Sequence, residues 1–262
     1  MIASLDERSG YGIAAALAIS LACTAIPARA DDTNAILKDM TNYVASQKNI
    51  SLTFDSSIEV VTPAVEKIQF ASSGEVLLSR PDKLRAKRTG GYADVELVYD
   101  GKTATLYGKN LNVYAQADAP SSIDQFVELL RAKYGADMPG ADLLIGGSYD
   151  ALAEDIIEGK HIGRGVVDGV ECEHLAFRTP ETDWQLWVEI GPKPIPHKYV
   201  ITSKALAGAP QYTLVIRNWK TDVQPDADAF AFKPASDAKK IEFAALPDLD
   251  EVPFGTPAGA KQ

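Results

Sequence analysis

The stretch CEHLAFRTPETDWQLWVEIGPKPIPHKYVIT, residues 172–202, holds two of the chain's three histidines and two of its three tryptophans. Its apolar residues recur at every second position: Leu175 and Phe177, then Trp184, Leu186, Val188 and Ile190. A period of two places alternate side chains on opposite faces of an extended strand, and the Gly and Pro residues from 191 to 196 interrupt it as a turn would. Cys172 and His174 then share one strand face about 6.6 Å apart, opposite Glu171, Glu173, Leu175 and Phe177. A thiolate and an imidazole at that spacing can serve a zinc ion or a nucleophile, but a metal needs further ligands from other segments, and only His161 and His197 remain as histidines. The expectation is therefore a strand pair with no catalytic residue and no metal. A Cys172–His174 metalloprotein or hydrolase is the alternative that this stretch leaves open.

Working outward, the same period continues on both sides. Upstream, KHIGRGVVDGVE turns at Asp168-Gly169; downstream, PQYTLVIRNWK sets Tyr212, Leu214 and Ile216 on one face. These segments read as an antiparallel meander. The N-terminal half repeats the pattern: Leu52, Phe54, Ile58 and Val60 fall on one strand face, then Ile68, Phe70, Val76 and Leu78, with Leu84 following and Asp100-Gly101 marking a hairpin. Two stretches change period. Ile36, Leu37, Met40 and Val44 recur at helical spacing behind Asp31, Asp32 and Thr33, and Ile123, Phe126, Val127 and Leu130 do so between Ser121-Ser122 and Gly135. The segment DLLIGGSYDALAEDIIEG, residues 142–159, reads as a further helical or irregular insertion whose Gly-rich loop caps a helix. Helix, strands, helical insertion and strands again give an α+β domain in which one long curved antiparallel sheet carries its helices on a single face.

With 262 residues, 46% of them hydrophobic, the chain can bury a sizeable core. A formal net charge of -10 without any basic block excludes a nucleic-acid partner. Residues 13–25, IAAALAISLACTA, are apolar but too short to span a bilayer, and Ala28-Arg29-Ala30 follows as a small-x-small cleavage pattern. We expect a signal peptide over 1–30, a single domain over 31–246, a loose Pro/Gly-rich tail over 247–262, and export to the periplasm. Lipoprotein anchoring at Cys23 is the competing reading; Ser20 stands where that motif usually has leucine, and the apolar run continues past it. Cleavage after Ala30 removes Cys23 and leaves Cys172 alone, with no intramolecular disulfide.

The run VDGVECEHLAFRTPETDWQLWVEIGPKPIPHKYVITSK, with GAPQYTLVIRNWK and FAFKPASDAKKIEF after it, resembles a family of bacterial predicted periplasmic proteins in the superfamily of the outer-membrane lipoprotein carrier LolA. LolB, LppX and RseB share that superfamily. The resemblance extends from about Asp32 to Ala244. It implies a half-barrel of roughly eleven antiparallel strands with helices packed as a lid on the concave face. It also implies that Asp183, Trp184, Trp187, Pro194, Pro196 and Lys198 are fold determinants, and it brings no catalytic residue. The function expected from it is non-catalytic: a periplasmic carrier that binds a lipid or a lipoprotein acyl chain, with no cofactor, as a monomer, with a peripheral membrane contact allowed. Candidate cavity residues are Leu52, Phe54, Ile68, Phe70, Trp184, Leu186, Val188, Ile190, Tyr212, Leu214 and Ile216. A sensor or scaffold that uses the same fold for a protein partner is the second reading. N-terminal sequencing of the exported protein should start at Asp31, whereas a diacylglyceryl group on Cys23 would establish the anchored form.

Overall fold

The computed structural model describes residues 30–134 and 138–243. Residues 1–29 of the expected signal peptide, the Gly135 helix stop and the 247–262 tail lie outside the described residues. Helix α1 (Ala30–Ser46) buries Thr33, Leu37, Met40 and Val44 along one stripe, as its 3.6-residue spacing dictates. Asp32 and Thr33 sit inside its first described turn rather than ahead of it, and Thr33 is buried there. Strands β1 (Asn49–Val61), β2 (Lys67–Ser79), β3 (Lys83–Gly90), β4 (Asp94–Tyr99), β5 (Thr103–Gly108) and β6 (Val113–Asp118) follow as successive hairpins. Helix α2 (Ile123–Tyr134) and the short helix α3 (Ser148–Ala153) form the insertion. Strands β7 (Glu158–Val167), β8 (Val170–Arg178), β9 (Thr182–Glu189), β10 (Pro196–Ser203) and β11 (Gln211–Lys220) complete the meander, and a two-residue β12 (Lys239–Lys240) ends the described chain.

All twelve strands form one curved sheet, in the order β12-β6-β5-β4-β3-β2-β1-β11-β10-β9-β8-β7. The eleven strands β1 to β11 are antiparallel to their neighbours; β12 adds to β6 in parallel. Strand β1 is the joint between the two halves of the chain, pairing with β2 on one side and with β11 on the other. The two Asp-Gly turns are where the sequence places them: Gly101 and Gly169 have φ of 95° and 85°, a region that glycine enters without a Cβ clash.

The helices lie on one face and close a core there. The Phe126 ring stacks on Tyr99 with centroids 4.4 Å apart, and the Tyr99 hydroxyl donates to the Pro120 carbonyl at the approach to α2. Ser122 caps α2 by accepting the Gln125 amide hydrogen. The Gly-rich loop is pinned from α2, since the Gly146 and Gly147 N–H groups donate to the Asp124 carboxylate at 2.9 and 3.0 Å. Arg80, at the end of β2, gathers these parts. Its guanidinium donates to the Val44 and Gln47 carbonyls at the C-terminal end of α1 and to the Leu144 carbonyl at 2.6 Å. Burial lowers its pKa and the nearby Asp124 charge opposes that shift.

The opposite face is covered over β3 to β6 by residues 225–243, for which the sequence offers no element. The Ala229 carbonyl accepts from Arg85, which is also paired with the buried Glu96 at 2.6 Å. Phe232 packs on Tyr107 and Tyr114, and Lys239 and Ile241 donate to the Asn112 and Tyr114 carbonyls, which seats β12 on the β6 edge. Phe243 then reaches the Tyr134 ring of α2. At the other edge, β7 carries a bulge between His161 and Gly163, and Gly163 has a φ of 125°. Replacing Arg80 by Met should cost about 2 kcal/mol in denaturant unfolding, because three carbonyls lose a charged donor at once.

Candidate ligand-binding face and the Cys172 strand

Directly paired residues in an antiparallel ladder point to the same side, so the register defines the face beneath the helices. Across β2 and β1 it runs through Val76 and Leu52, Gly74 and Phe54, Ser72 and Ser56, Phe70 and Ile58, and Ile68 and Val60. Across β1 and β11 it continues through Phe54 and Ile216, Ser56 and Leu214, and Ile58 and Tyr212, and from there through Tyr199 to Leu186 and Leu175. Gly74 is the close approach in this surface: a Cβ there would stand 2.3 Å from the Phe54 ring.

The candidate residues share this face but divide into two zones. Leu52, Trp184, Leu186, Val188, Tyr212, Leu214 and Ile216 are buried in one cluster with Leu37, Met40, Val44, Phe126, Val127 and Leu130 of the helices. Leu186 is 0% exposed, and Trp184 is stacked between Phe177 at 4.0 Å and the edge of Tyr199 at 5.8 Å. That zone is a packed core. Phe54 and Ile58 are half-buried at its margin. Beyond them Phe70 is half-buried, Ile68 is 43% exposed, and Tyr92, in the turn between β3 and β4, meets Phe70 edge-on at 5.5 Å while 55% exposed. Ile190 lies past the end of β9, half-buried and outside the cluster, with its N–H bonded to the Glu171 carbonyl.

The open zone also holds residues that sequence reasoning did not single out. Ile58 belongs to the same alternation as Phe54 and could have been included; Tyr92 follows two glycines and carries no periodic signal. Arg88 stands opposite Gly74 on β3 and so faces the same side, half-buried. The Ser56 and Ser72 hydroxyls, both buried, bond to each other at 2.8 Å in the middle of this apolar surface.

Cys172 and His174 share the other face of β8, as the alternation requires. The Cys172 thiol is buried and donates to the Val170 carbonyl at 3.6 Å. Burial, with Glu189 second, pushes its pKa up to about 11, which keeps it a thiol rather than a thiolate. The His174 ring lies flat on Trp187, with centroids 4.0 Å apart, and bonds Gln185; burial lowers its pKa. Lys198 lies over the same indole at 5.0 Å, and Gly165, without a Cβ, leaves room for the indole nitrogen. His161 pairs with Glu173 and His197 with Glu189, each on its own. Among the described residues no three of these side chains converge as a metal site. The stretch 172–202 is thus a β8–β9–β10 meander whose polar face is a stacked His-Trp-Lys row.

The folded thiol holds its proton to a higher pH than an unfolded one, whose pKa is about 8.5, so unfolding releases a proton in between and stability falls as pH rises from there toward about 11. Cys172→Ala should flatten that part of the stability profile, and alkylation of the folded wild type should stay slow at neutral pH.

No curated protein sequence matches the chain. Among solved structures, it is similar to the lipoprotein LppX of Mycobacterium tuberculosis, at 11% identity over 75% of this chain and 99% of that one, with a TM-score of 0.46. LprF of Mycobacterium bovis gives 12% identity over 75% and 97%, with a TM-score of 0.45. A LolA superfamily protein of Nitrosomonas europaea gives 11% over 76% and 97%, with a TM-score of 0.32. Residues 33–244 match the model of the family described as predicted periplasmic protein (DUF2092), and the chain belongs to that family.

Proposed function

We propose that the protein is a periplasmic binding protein for the acyl chain of a lipid or lipoprotein, held against the open zone of the helix-bearing face. The observation that supports this reading is one of continuity. The apolar register that builds the core does not stop where the helices stop, but runs on through Phe54, Ile58, Phe70 and Ile68 to solvent. A folded chain gains nothing from an apolar face left wet; a ligand that covers it gains about 0.8 kcal/mol for each buried CH₂. Phe70 and Ile68 on β2 and Tyr92 beside them form the exposed wall, and the packed zone at Leu52, Leu186 and Ile216 is the floor that holds it rigid. The chemistry offered there is burial of an apolar chain. That is a binding role, without a reaction step.

The wild-type protein should bind a soluble fluorescent fatty acid, and Phe70→Asp should weaken that binding about tenfold or more while the circular dichroism spectrum is unchanged, because a half-exposed position tolerates the carboxylate until the acyl chain arrives. Leu186→Asp should instead unfold the protein, since that site is closed on all sides. A folded wild type that takes up no fatty acid, or a folded Phe70→Asp variant that binds as well as wild type, would overturn the assignment.

A further inference from the structure

Strands β1 and β2 are longer than the sheet that holds them. Strand β11 pairs with β1 only from Ser51 to Ile58, and β3 pairs with β2 only from Ser72 to Ser79, so residues 59–71 form a ribbon whose strands are paired with each other alone. Its base is braced: Glu59 accepts from the Gln211 N–H and pairs with Lys67 at 3.0 Å. Its apex is apolar. Between Thr62 and Glu66 the chain presents Pro63, Ala64 and Val65, all exposed, in a turn closed by Thr62 N–H to Glu66 and Val65 N–H to Thr62. Val65 is 71% exposed at a φ of 62°, a left-handed conformation that glycine or asparagine adopts readily and a β-branched side chain does not. Folding alone favours neither the valine nor its exposure at this position. Ile68 and Tyr92 lie exposed at the same end of the sheet.

We propose that this ribbon tip is a membrane-docking element that enters the interface of a lipid bilayer. A two-stranded tip is too narrow to bury the roughly 800 Å² per partner that a stable protein complex uses, whereas a few apolar side chains beside a tyrosine at the water boundary are what a bilayer interface accepts. Lys67 is neutralised by Glu59 and Glu66 is the remaining charge at the apex, so the tip does not depend on anionic lipid. The inference rests on the acyl-chain reading for its purpose: the tip brings the open zone at Phe70 to the membrane surface, where a chain can pass without crossing water.

The test is co-sedimentation of the exported protein with phosphatidylcholine vesicles, with soluble fatty-acid binding measured in parallel. Val65→Asp is compatible with the left-handed turn and should lower vesicle partitioning about tenfold while leaving fatty-acid binding at the wild-type level. Ala64→Asp is the second variant should the first fail to fold, with the same expectation. Ile162→Asp adds the same charge at an apolar site 55% exposed on β7 and should leave partitioning unchanged. A wild type that does not sediment with vesicles, tip variants that partition like wild type, or an equal loss in Ile162→Asp would overturn the docking role. Loss of fatty-acid binding alone, with vesicle partitioning intact, would overturn the acyl-chain reading and leave the tip standing.

Discussion

The Arg80 guanidinium is where the helices are fastened to the sheet. A helix ends with carbonyls that have no intrahelical partner, and α1 resolves this by giving Val44 and Gln47 to a cation projecting from the end of β2. The same cation takes the Leu144 carbonyl, while Asp124, whose charge acts on it, holds the amides of Gly146 and Gly147. One arginine and one carboxylate thus join α1, α2, the loop before α3 and the sheet. With these ends satisfied, the apolar stripes of α1 and α2 can be buried against Leu52, Leu186 and Ile216 without stranding polar backbone in the core.

That fastening sits at one end of the sheet, and it explains why the helix-bearing face has two zones. Strand β1 contributes to both: Leu52 lies under the helices, Phe54 and Ile58 at their margin. Ser56 and Ser72 mark the middle of the surface, and the hydrogen bond between them gives each buried hydroxyl a partner there. Rigid floor and uncovered wall are therefore parts of the same ladders. A ligand seated on Phe70 and Ile58 would touch strands whose other ends are locked in the core.

Much of this architecture is legible in the sequence wherever the signal is local. The spacing of Leu37, Met40 and Val44, the Ser122 cap, the Asp-Gly turns at 100 and 168, and the alternation from Trp184 to Val188 all correspond to observed elements. The pairing of β1 with β11 is not local, and nothing in either strand names its partner across the intervening chain. Residues 225–243 are held by scattered contacts, among them Ala229 to Arg85, Phe232 to two tyrosines and the short β12 to β6, with no period to betray them. The candidate site shows the same limit. Alternation reports which face a side chain takes, so Leu186 and Ile68 read alike; whether a helix lies above it is a tertiary fact that leaves no mark on the strand.

An open sheet of twelve strands has two borders, and each presents backbone groups to any other extended chain. The β6 border is covered at its start, Val113 and Tyr114, by β12 from the same molecule. The β7 border is treated differently: the bulge at Ile162, the left-handed Gly163 and the cations Lys160 and Arg164 break its line of donors and acceptors so that a second strand cannot lie flush against it. In a compartment crowded with newly exported, still extended chains, such borders decide whether a half-barrel remains a solitary molecule or becomes the seed of an aggregate. The guard on one border comes from the last described strand of the chain, so while export proceeds from the N-terminus the β6 side is unguarded until residues 239–240 arrive.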